Sequence, residues 1–471
     1  MSFLPGTLKK KVFVFCRPYL VEDFEANIEQ LRGAFEFRFL TDGEKRGISD
    51  TRARFYQRLT SAKCPLDFTD AEELDILERC RYLRNIPQHK ALSILRSMAS
   101  VLAEELDAYR PNVVLSHMVD DYTTHLLAEL ARRRGIVYVG FAYSYFPGKV
   151  QITQFGYGVP LDVREPSDIE VEDVLAKISE RTFRQNYLQG DSYTRLRHLV
   201  AMMRYRTKQV VFGLKARLQN DPLQMHYAGL PFVAERRNWR DFPSESDFHG
   251  DWRHRLDGIK DQSTKPILYF PLGYFPEATI DYWIVDRRVL QYQQLVLDIC
   301  LILSPYFRVV VKEHLHMLGA RGTAFYREVR NIPGVVSIPP LEFSNDVLAL
   351  SAVVLMGAGS IGVEAFIRGK PVVTFSNTSY WFSRSNSAYL DLADIQNWPA
   401  LIEAKRQEYT VPDEGEKLEF IRQCLRSTMR QQRPGSRWPI CNTEDLRNLL
   451  HVAISNGTLS VDKGVDGILV N

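Results

Sequence analysis

Short apolar runs alternate with longer amphipathic stretches along most of this chain. An apolar run of four to eight residues is typical of a strand buried on both faces, and the stretches between the runs have helical periodicity. The runs that predict buried strands are residues 11–16, 35–40, the first part of 111–121, 135–141, the first part of 266–277, 307–312, 335–338, 353–356 and 372–375. Strands that alternate with helices form parallel sheets with helices on both faces, so the pattern predicts the α/β class.

The same alternation predicts two doubly wound, Rossmann-like domains, and 471 residues are enough for both cores. The expected divisions are residues 1–240 for the first domain, a polar linker at 241–264, a second domain at 265–430, a terminal helix at 431–455 and a tail at 456–471. Three helix predictions are specific: residues 282–303, residues 345–351 with Ser344 as the N-cap, and a mainly helical stretch at 416–455.

The stretch around residues 349–375 organises the second domain. It predicts a strand, a glycine turn, a helix that ends at Gly369, and another strand after Pro371. A helix N-terminus reached through a glycine turn offers free N–H groups that suit a phosphate, and an acidic residue one turn later can reach ribose hydroxyls. The candidate residues here are Gly357, Gly359, Ser360, Ile361 and Glu364. The spacing is neither a P-loop nor a clean G-x-G-x-x-G, so an ordinary β-α-β packing turn is the alternative.

Two neighbouring strand ends carry further polar and aromatic residues. The strand at 307–312 ends in Lys312, Glu313 and His314, and the strand at 266–270 breaks into a loop with Gly273 and Tyr274. Residues just past the carboxyl ends of parallel strands line the ligand crevice of such sheets. These five residues are therefore candidates for the same ligand-binding site as the glycine turn.

In the first half, the strand within residues 111–121 ends in a cluster of candidate catalytic residues. A carboxylate at Asp120 or Asp121 can act as a general base or as a nucleophile. One of the two is expected to be the N-cap of the helix at 122–134. His117 is either a base or a structural histidine.

Composition excludes several classes of protein. The net charge of +3, without a basic tail or zinc-spaced Cys/His set, gives no indication of a nucleic-acid partner. The six cysteines are scattered, as free thiols of a reducing compartment are, and no apolar run approaches membrane-spanning length. The N-terminus lacks the pattern of a signal peptide. We expect a protein of the cytoplasm, either free or on the inner face of the membrane.

A basic stretch at residues 193–218 mixes arginines and lysines with apolar residues. It indicates either a helix packed by one face or an interfacial helix that contacts anionic lipid.

Four motifs resemble those of the capsule polysaccharide biosynthesis glycosyltransferases, a bacterial family that includes Kdo transferases. They are Phe-Pro-Leu-x-Tyr-x-Pro-Glu-Ala at 270–278, Val-Lys-Glu-His at 311–314, Gly-x-Arg-Gly-x-x-Phe-Tyr at 319–326, and Gly-x-Gly-Ser-x-Gly-x-Glu-Ala with Gly-Lys-Pro-Val at 357–372. The resemblance covers about 120 residues of the C-terminal half. It implies the GT-B fold, in which two Rossmann-like domains face a cleft. Arg321, in the third motif, is then a candidate for contact with the donor's phosphate or the sugar's carboxylate.

The resemblance implies a transferase that moves a sugar from a nucleotide-activated donor to a growing surface glycan, of capsule or lipopolysaccharide, or to its lipid-linked form. A CMP-linked ulosonic acid such as Kdo is the expected donor, and a UDP-sugar is the close alternative. No cofactor and no metal are expected, because the cationic side chains and the helix N-terminus can stabilise the leaving phosphate. Two other functions stay open: a nucleotide-sugar 2-epimerase, with Glu277, Glu313 and His314 as its acid and base groups, and a non-catalytic assembly protein.

Overall fold

A computed structural model gives the structure of the chain. It describes residues 9–59, 68–154, 161–180, 243–260, 265–275, 278–314, 321–376, 387–433 and 440–456, together with positions 183, 200, 203, 204, 207, 210, 211, 214, 218, 223 and 317. The chain divides into two compact units, of which the first contains residues Met1–Pro166, Asp221–His226 and Leu425–Asn471 and the second contains Ser167–Asn220 and Tyr227–Cys424.

The first unit is built on an eight-stranded sheet. Its strands are β1 (Lys10–Phe15), β2 (Phe35–Thr41), β3 (Ser49–Asp50), β4 (Val113–His117), β5 (Val137–Tyr143), β6 (Lys149–Gln154), β13 (Thr428–Arg433) and β14 (Ile440–Cys441). They lie in the order β14-β13-β6-β5-β4-β1-β2-β3. Five neighbouring strands are parallel to one another: β3, β2, β1, β4 and β5. Strands β6, β13 and β14 each pair antiparallel with their neighbours.

Helices complete the first unit. They are α1 (Val21–Ile28), α2 (Arg52–Leu59), α3 (Asp70–Arg79), α4 (Gln88–Tyr109), α5 (Tyr122–Arg133) and α15 (Thr443–Asn456). On one face of the sheet, α1 and α15 bury Phe24, Leu446 and Leu450 against Val12 and Val14. The alternate residues of β1 point to the opposite face, where Phe13 contacts Tyr109 of α4. Strand β1 therefore buries both of its sides, as its apolar run predicts.

The second unit is built on a six-stranded, fully parallel sheet. Its strands are β7 (Ile267–Pro271), β8 (Arg308–Lys312), β9 (Val335–Ile338), β10 (Val353–Met356), β11 (Val372–Thr374) and β12 (Ser387–Tyr389). They lie in the order β12-β11-β10-β7-β8-β9. Counted from β7 this is 6-5-4-1-2-3, the Rossmann order.

Helices of the second unit cover both faces of its sheet. They are α6 (Asp168–Ser179), α7 (Trp252–Lys260), α8 (Ala278–Asp281), α9 (Tyr292–Leu303), α10 (Thr323–Asn331), α11 (Ser344–Leu350), α12 (Ile361–Ile367), α13 (Trp398–Glu408) and α14 (Glu414–Arg426). Leu268 and Phe270 of β7 join one core with α9, and Ile267 and Tyr269 join the other. The structure confirms the predicted α/β class with two Rossmann-like doubly wound units.

Several boundaries differ from the predictions. The stretch expected as a linker contains α7, whose Trp252 and Leu256 are buried against the second sheet. Helix α6, expected in the first domain, belongs to the second unit, where Arg368 Nη2 donates to the carbonyls of Ile178 and Glu180. Strands β13 and β14 interrupt the stretch at 416–455, and the terminal helix begins at Thr443.

Two helix starts also differ. Helix α9 begins at Tyr292 because Asp286 first caps a short 3₁₀ turn, accepting a hydrogen bond from Arg288 N at 2.9 Å. Ser344 is the first residue of α11 and not its cap, and the cap position, Phe343, has no side-chain acceptor. Among the described helices none is long and apolar enough to cross a bilayer.

Candidate functional site

The loops after β7 and β10 flank the topological switch point of the second sheet. These strands are adjacent, and the chain leaves them toward opposite edges of the sheet. In open parallel sheets the ligand crevice lies at such a point, outside the carboxyl ends of the strands. Gly273 and Tyr274 follow β7, and Gly357 to Ser360 follow β10. The switch point therefore collects most of the predicted donor-binding residues.

A fully buried ion pair fixes the loops after β7 and β8. Arg321 Nε donates to Glu313 Oε2 at 2.7 Å, and the two side chains are 0% and 1% exposed. Arg321 Nη2 donates to the Gly273 carbonyl at 2.6 Å, and the Tyr326 hydroxyl donates to Glu313 Oε2 at 3.1 Å. Burial lowers the pKa of Arg321, but Glu313 outweighs it and holds that pKa above its usual value. The two charges are paired inside the protein and neither side chain is exposed, and a contact of either residue with a donor stays a prediction.

Tyr274 and His314 form a parallel stack beside this pair. Their ring centroids lie 5.3 Å apart with 1° between the planes, and both residues are half-buried. His314 N donates to Glu313 Oε1 at 2.6 Å, so the buried pair orients the backbone that carries the imidazole. Lys312 is half-buried at the end of β8, and its carbonyl accepts a hydrogen bond from Leu272 N at 2.9 Å. Stacked aromatic rings offer a flat face that is suited to a planar or ring-shaped ligand.

Close packing requires the glycines at 273 and 357. A Cβ on Gly273 would lie 2.7 Å from Ile280 Cδ1. The backbone N–H of Gly273 donates to the Tyr292 hydroxyl at 2.6 Å. A Cβ on Gly357 would lie 2.8 Å from the Phe375 ring. These two glycines hold the loop backbones against the core at the switch point.

The loop after β10 is open at Gly359, where φ is +156° and a Cβ would meet no atom within 4 Å. Ser360 follows at the cap position of α12, but its side chain accepts no capping hydrogen bond. Helix α12 has seven residues, and both Ile361 and Glu364 are buried in it. Gly369 ends the helix at φ +64°, as predicted. A phosphate at this turn stays a prediction.

The second cluster lies in the first unit, at the ends of the adjacent strands β1 and β4. Arg17 Nη2 donates to Asp120 Oδ1 at 2.6 Å and to Asp121 Oδ2 at 2.8 Å. Arg17 Nε lies 3.4 Å from His117 Nε2, and His117 Nε2 also lies 3.3 Å from Asp120 Oδ1. The three predicted catalytic residues therefore gather around one arginine.

Asp121 is the N-cap of α5. Thr124 N donates to Asp121 Oδ1 at 2.9 Å, and the Thr124 side chain returns to the Asp121 backbone in a capping box. The Asp121 side chain is 2% exposed, whereas that of Asp120 is 26% exposed. Of the two carboxylates, Asp120 is the one that a substrate can reach.

The charge state of Asp120 follows from its partners. Burial raises its pKa, but Arg17 and His117 outweigh that effect and lower it to about 2. Asp120 is therefore ionised at neutral pH and too weak a base for efficient general-base catalysis. An ionised carboxylate of this kind is suited to nucleophilic or electrostatic roles.

Sequence reasoning missed Arg17. It directly follows β1, which was predicted as a strand, so the rule that was applied to later strand ends would have found it. His117, by contrast, is nearly fully buried, with Ser116 Oγ 3.4 Å from its Nδ1 and the Tyr138 hydroxyl donating to its carbonyl at 2.6 Å.

Some predicted positions lie outside the described residues. They include Glu277, Gly319 of the third motif and most of the tail at 456–471. Within the described part of the chain, no group of three or more His, Cys, Asp or Glu residues is placed to hold a metal ion.

Comparisons with known proteins give a limited result. No protein-family model matches the chain, and no curated protein matches it. Among solved structures it is similar to Thermosulfurimonas dismutans KpsC, a beta Kdo 2,4 transferase, at 12% identity and a TM-score of 0.35, covering 95% of this chain and 99% of that one. It is also similar to the UDP-GlcNAc 2-epimerase of Methanocaldococcus jannaschii, at 10% identity and a TM-score of 0.29, covering 94% of this chain and 99% of that one. The UDP-GlcNAc 2-epimerase of Neisseria meningitidis is similar at 14% identity and a TM-score of 0.26, covering 98% of this chain and 100% of that one. Likenesses this weak carry no argument, so the fold rests on the strand order above.

Proposed function

We propose that this protein is a glycosyltransferase that takes a sugar from a nucleotide-activated donor, a CMP-linked ulosonic acid such as Kdo, and adds it to a bacterial surface glycan. One observation carries the proposal: the motifs that resemble the capsule glycosyltransferases converge on the switch point of a Rossmann sheet. There the stack of Tyr274 on His314 joins the loops after β7 and β8, and the loop after β10 begins at the end of the neighbouring strand.

In this proposal the donor is bound by the second unit. Tyr274 and His314 contact its base or sugar ring, and Lys312 neutralises the phosphate or the ulosonate carboxylate. Glu364 accepts hydrogen bonds from ribose hydroxyls. The buried pair of Glu313 and Arg321 is a positioning device, because it joins the loops that carry Tyr274 and His314.

The first unit supplies the acceptor side of the reaction. Asp120 is the functional carboxylate of the pair, ionised and partly exposed, and Asp121 holds the helix behind it. In a retaining double displacement, Asp120 would attack the anomeric carbon while the bond to CMP breaks. The acceptor hydroxyl would then displace Asp120 from the anomeric carbon, and the proton of that hydroxyl would pass to water. Arg17 keeps the carboxylate in place throughout.

Isothermal titration of the purified protein with CMP and with UDP tests the donor site. We expect CMP to bind, and Tyr274→Ala and Glu364→Gln each to weaken binding about tenfold, a loss of about 1.4 kcal/mol. Matched controls are Tyr306→Ala and Glu328→Gln, at exposed positions of the same unit. Binding of neither nucleotide would overturn the transferase and favour a non-catalytic protein.

Preference for UDP would keep the site but change the donor, and product analysis would then separate two enzymes. A 2-epimerase converts its UDP-sugar without an acceptor, whereas a transferase turns over only with one. Of the residues that an epimerase would use, Glu313 is committed to Arg321 and is not exposed, which favours the transferase.

A further inference from the structure

The described residues between 200 and 218 form an outward-facing apolar stripe. Each of these positions is helical, and Thr207 Oγ1 donates to the Met203 carbonyl one turn earlier at 3.0 Å. Six large apolar side chains on the stripe are 42–85% exposed: Val200, Met203, Val210, Val211, Leu214 and Leu218. At about 100° per residue, these positions fall within an arc of about 120°.

Such a stripe is unusual for a protein surface. Single exposed apolar residues are common, but contiguous apolar patches on a soluble protein mark an interaction surface. At the described positions the exposure favours the interfacial interpretation of this stretch, because a helix packed by this face would bury them.

Charge identifies the partner. From residue 193 to residue 218 the sequence contains seven basic residues and no Asp or Glu, although 57 of the 471 residues in the chain are acidic. The basic residues are Arg195, Arg197, Arg204, Arg206, Lys208, Lys215 and Arg217. A second copy of the chain would present the same positive charge and would be repelled. An apolar stripe in a purely basic segment is instead complementary to an anionic lipid surface.

We propose that the apolar stripe, together with the basic residues of the same sequence segment, docks the protein on an anionic bilayer, with the apolar side chains entering the boundary between headgroups and acyl chains. This site does not depend on the proposed transferase activity. It would hold the chain at a membrane surface whichever sugar it transfers.

Vesicle flotation of the full-length protein tests the proposal. The vesicles contain either phosphatidylcholine alone or equal parts of phosphatidylcholine and phosphatidylglycerol. We expect the protein to float with the anionic vesicles only, and to be released by high salt. The variant with Leu214→Glu and Leu218→Glu should lose roughly tenfold or more of its binding.

The matched control carries Ile169→Glu and Leu301→Glu, two exposed apolar residues of the same unit away from the stripe. It should float like the unsubstituted protein, and circular dichroism should show that both variants fold. Three results would overturn the proposal: no flotation of the unsubstituted protein, equal binding to both kinds of vesicle, or equal loss in the two variants. Dimerisation that only the stripe variant loses, measured by sedimentation, would assign the stripe to a second copy instead.

Discussion

The two clusters at strand ends use the same residue types with opposite results. In the second unit, Arg321 faces one carboxylate, Glu313, and neither side chain is exposed. In the first unit, Arg17 faces two carboxylates, and one of them, Asp120, remains partly exposed. A one-to-one buried pair has no charge left for a ligand, whereas a one-to-two cluster keeps a reachable carboxylate. Charged residues at strand ends therefore have to be distinguished by their partners before a role is assigned to them.

The largest expected effect comes from breaking the one-to-one pair. Glu313→Gln leaves the Arg321 guanidinium buried without its counter-charge, and we expect a loss of about 3–5 kcal/mol in the free energy of unfolding. Urea denaturation, followed by hydrogen exchange in the loops after β7 and β8, measures it.

The control for this substitution is Glu403→Gln, which removes the partner of Arg406 at 2.6 Å from a pair that is one-third exposed on α13. Surface pairs contribute at most about 1 kcal/mol. If the two variants lost the same stability, Glu313 and Arg321 would not be the structural clamp described here.

The next effect separates Asp121 from Asp120. Asp121→Ala removes the cap of α5, which costs about 0.5–2 kcal/mol, and also a buried partner of Arg17. The Thr124 amide, which donates to Asp121, should exchange faster in this variant. Asp120→Ala should leave that amide protected and reduce turnover by at least about a hundredfold. Fast exchange at Thr124 in the Asp120 variant, or full turnover without Asp120, would reverse the assignment.

The sequence predicts the parallel strands well because a strand buried on both faces is a nearly continuous apolar run. The predictions of Val335–Ile338 and Val353–Met356 are correct to the residue. Strands β6 and β13 were not predicted, since Lys-Val-Gln-Ile-Thr-Gln and Thr-Met-Arg-Gln-Gln-Arg are largely polar. They pair with each other across more than 270 positions of sequence, which no local pattern reports.

The candidate site is predictable in its residue types but not in their pairings. Strand ends point to His314, Tyr274 and Asp120 because the topology of parallel sheets is regular. The pairings depend on packing that no local sequence pattern reports. Arg321 binds Glu313, and Arg17 lies 2.6 Å from Asp120 although 103 residues separate them in sequence. The role of Arg321 changes for this reason from donor contact to loop positioning.

The smallest expected effect is a pH dependence of stability that belongs to Asp120. Its pKa is lowered to about 2 in the folded chain, against about 3.9 for an unperturbed aspartate. The unfolded state therefore binds the proton more readily, so the stabilisation is complete above about pH 5 and is lost as the pH falls below about 4. Compared with Asp120→Asn, the unsubstituted protein should be more stable by on the order of 2 kcal/mol at pH 6, and the difference should narrow toward pH 3. Urea denaturation across this range measures it, with Asp257→Asn, at an exposed position of α7, to correct for the removal of a carboxylate. A difference that stays constant from pH 6 to pH 3 would mean that Arg17 does not hold Asp120 as an ion pair. The cluster of one arginine with two carboxylates would then be wrong as described.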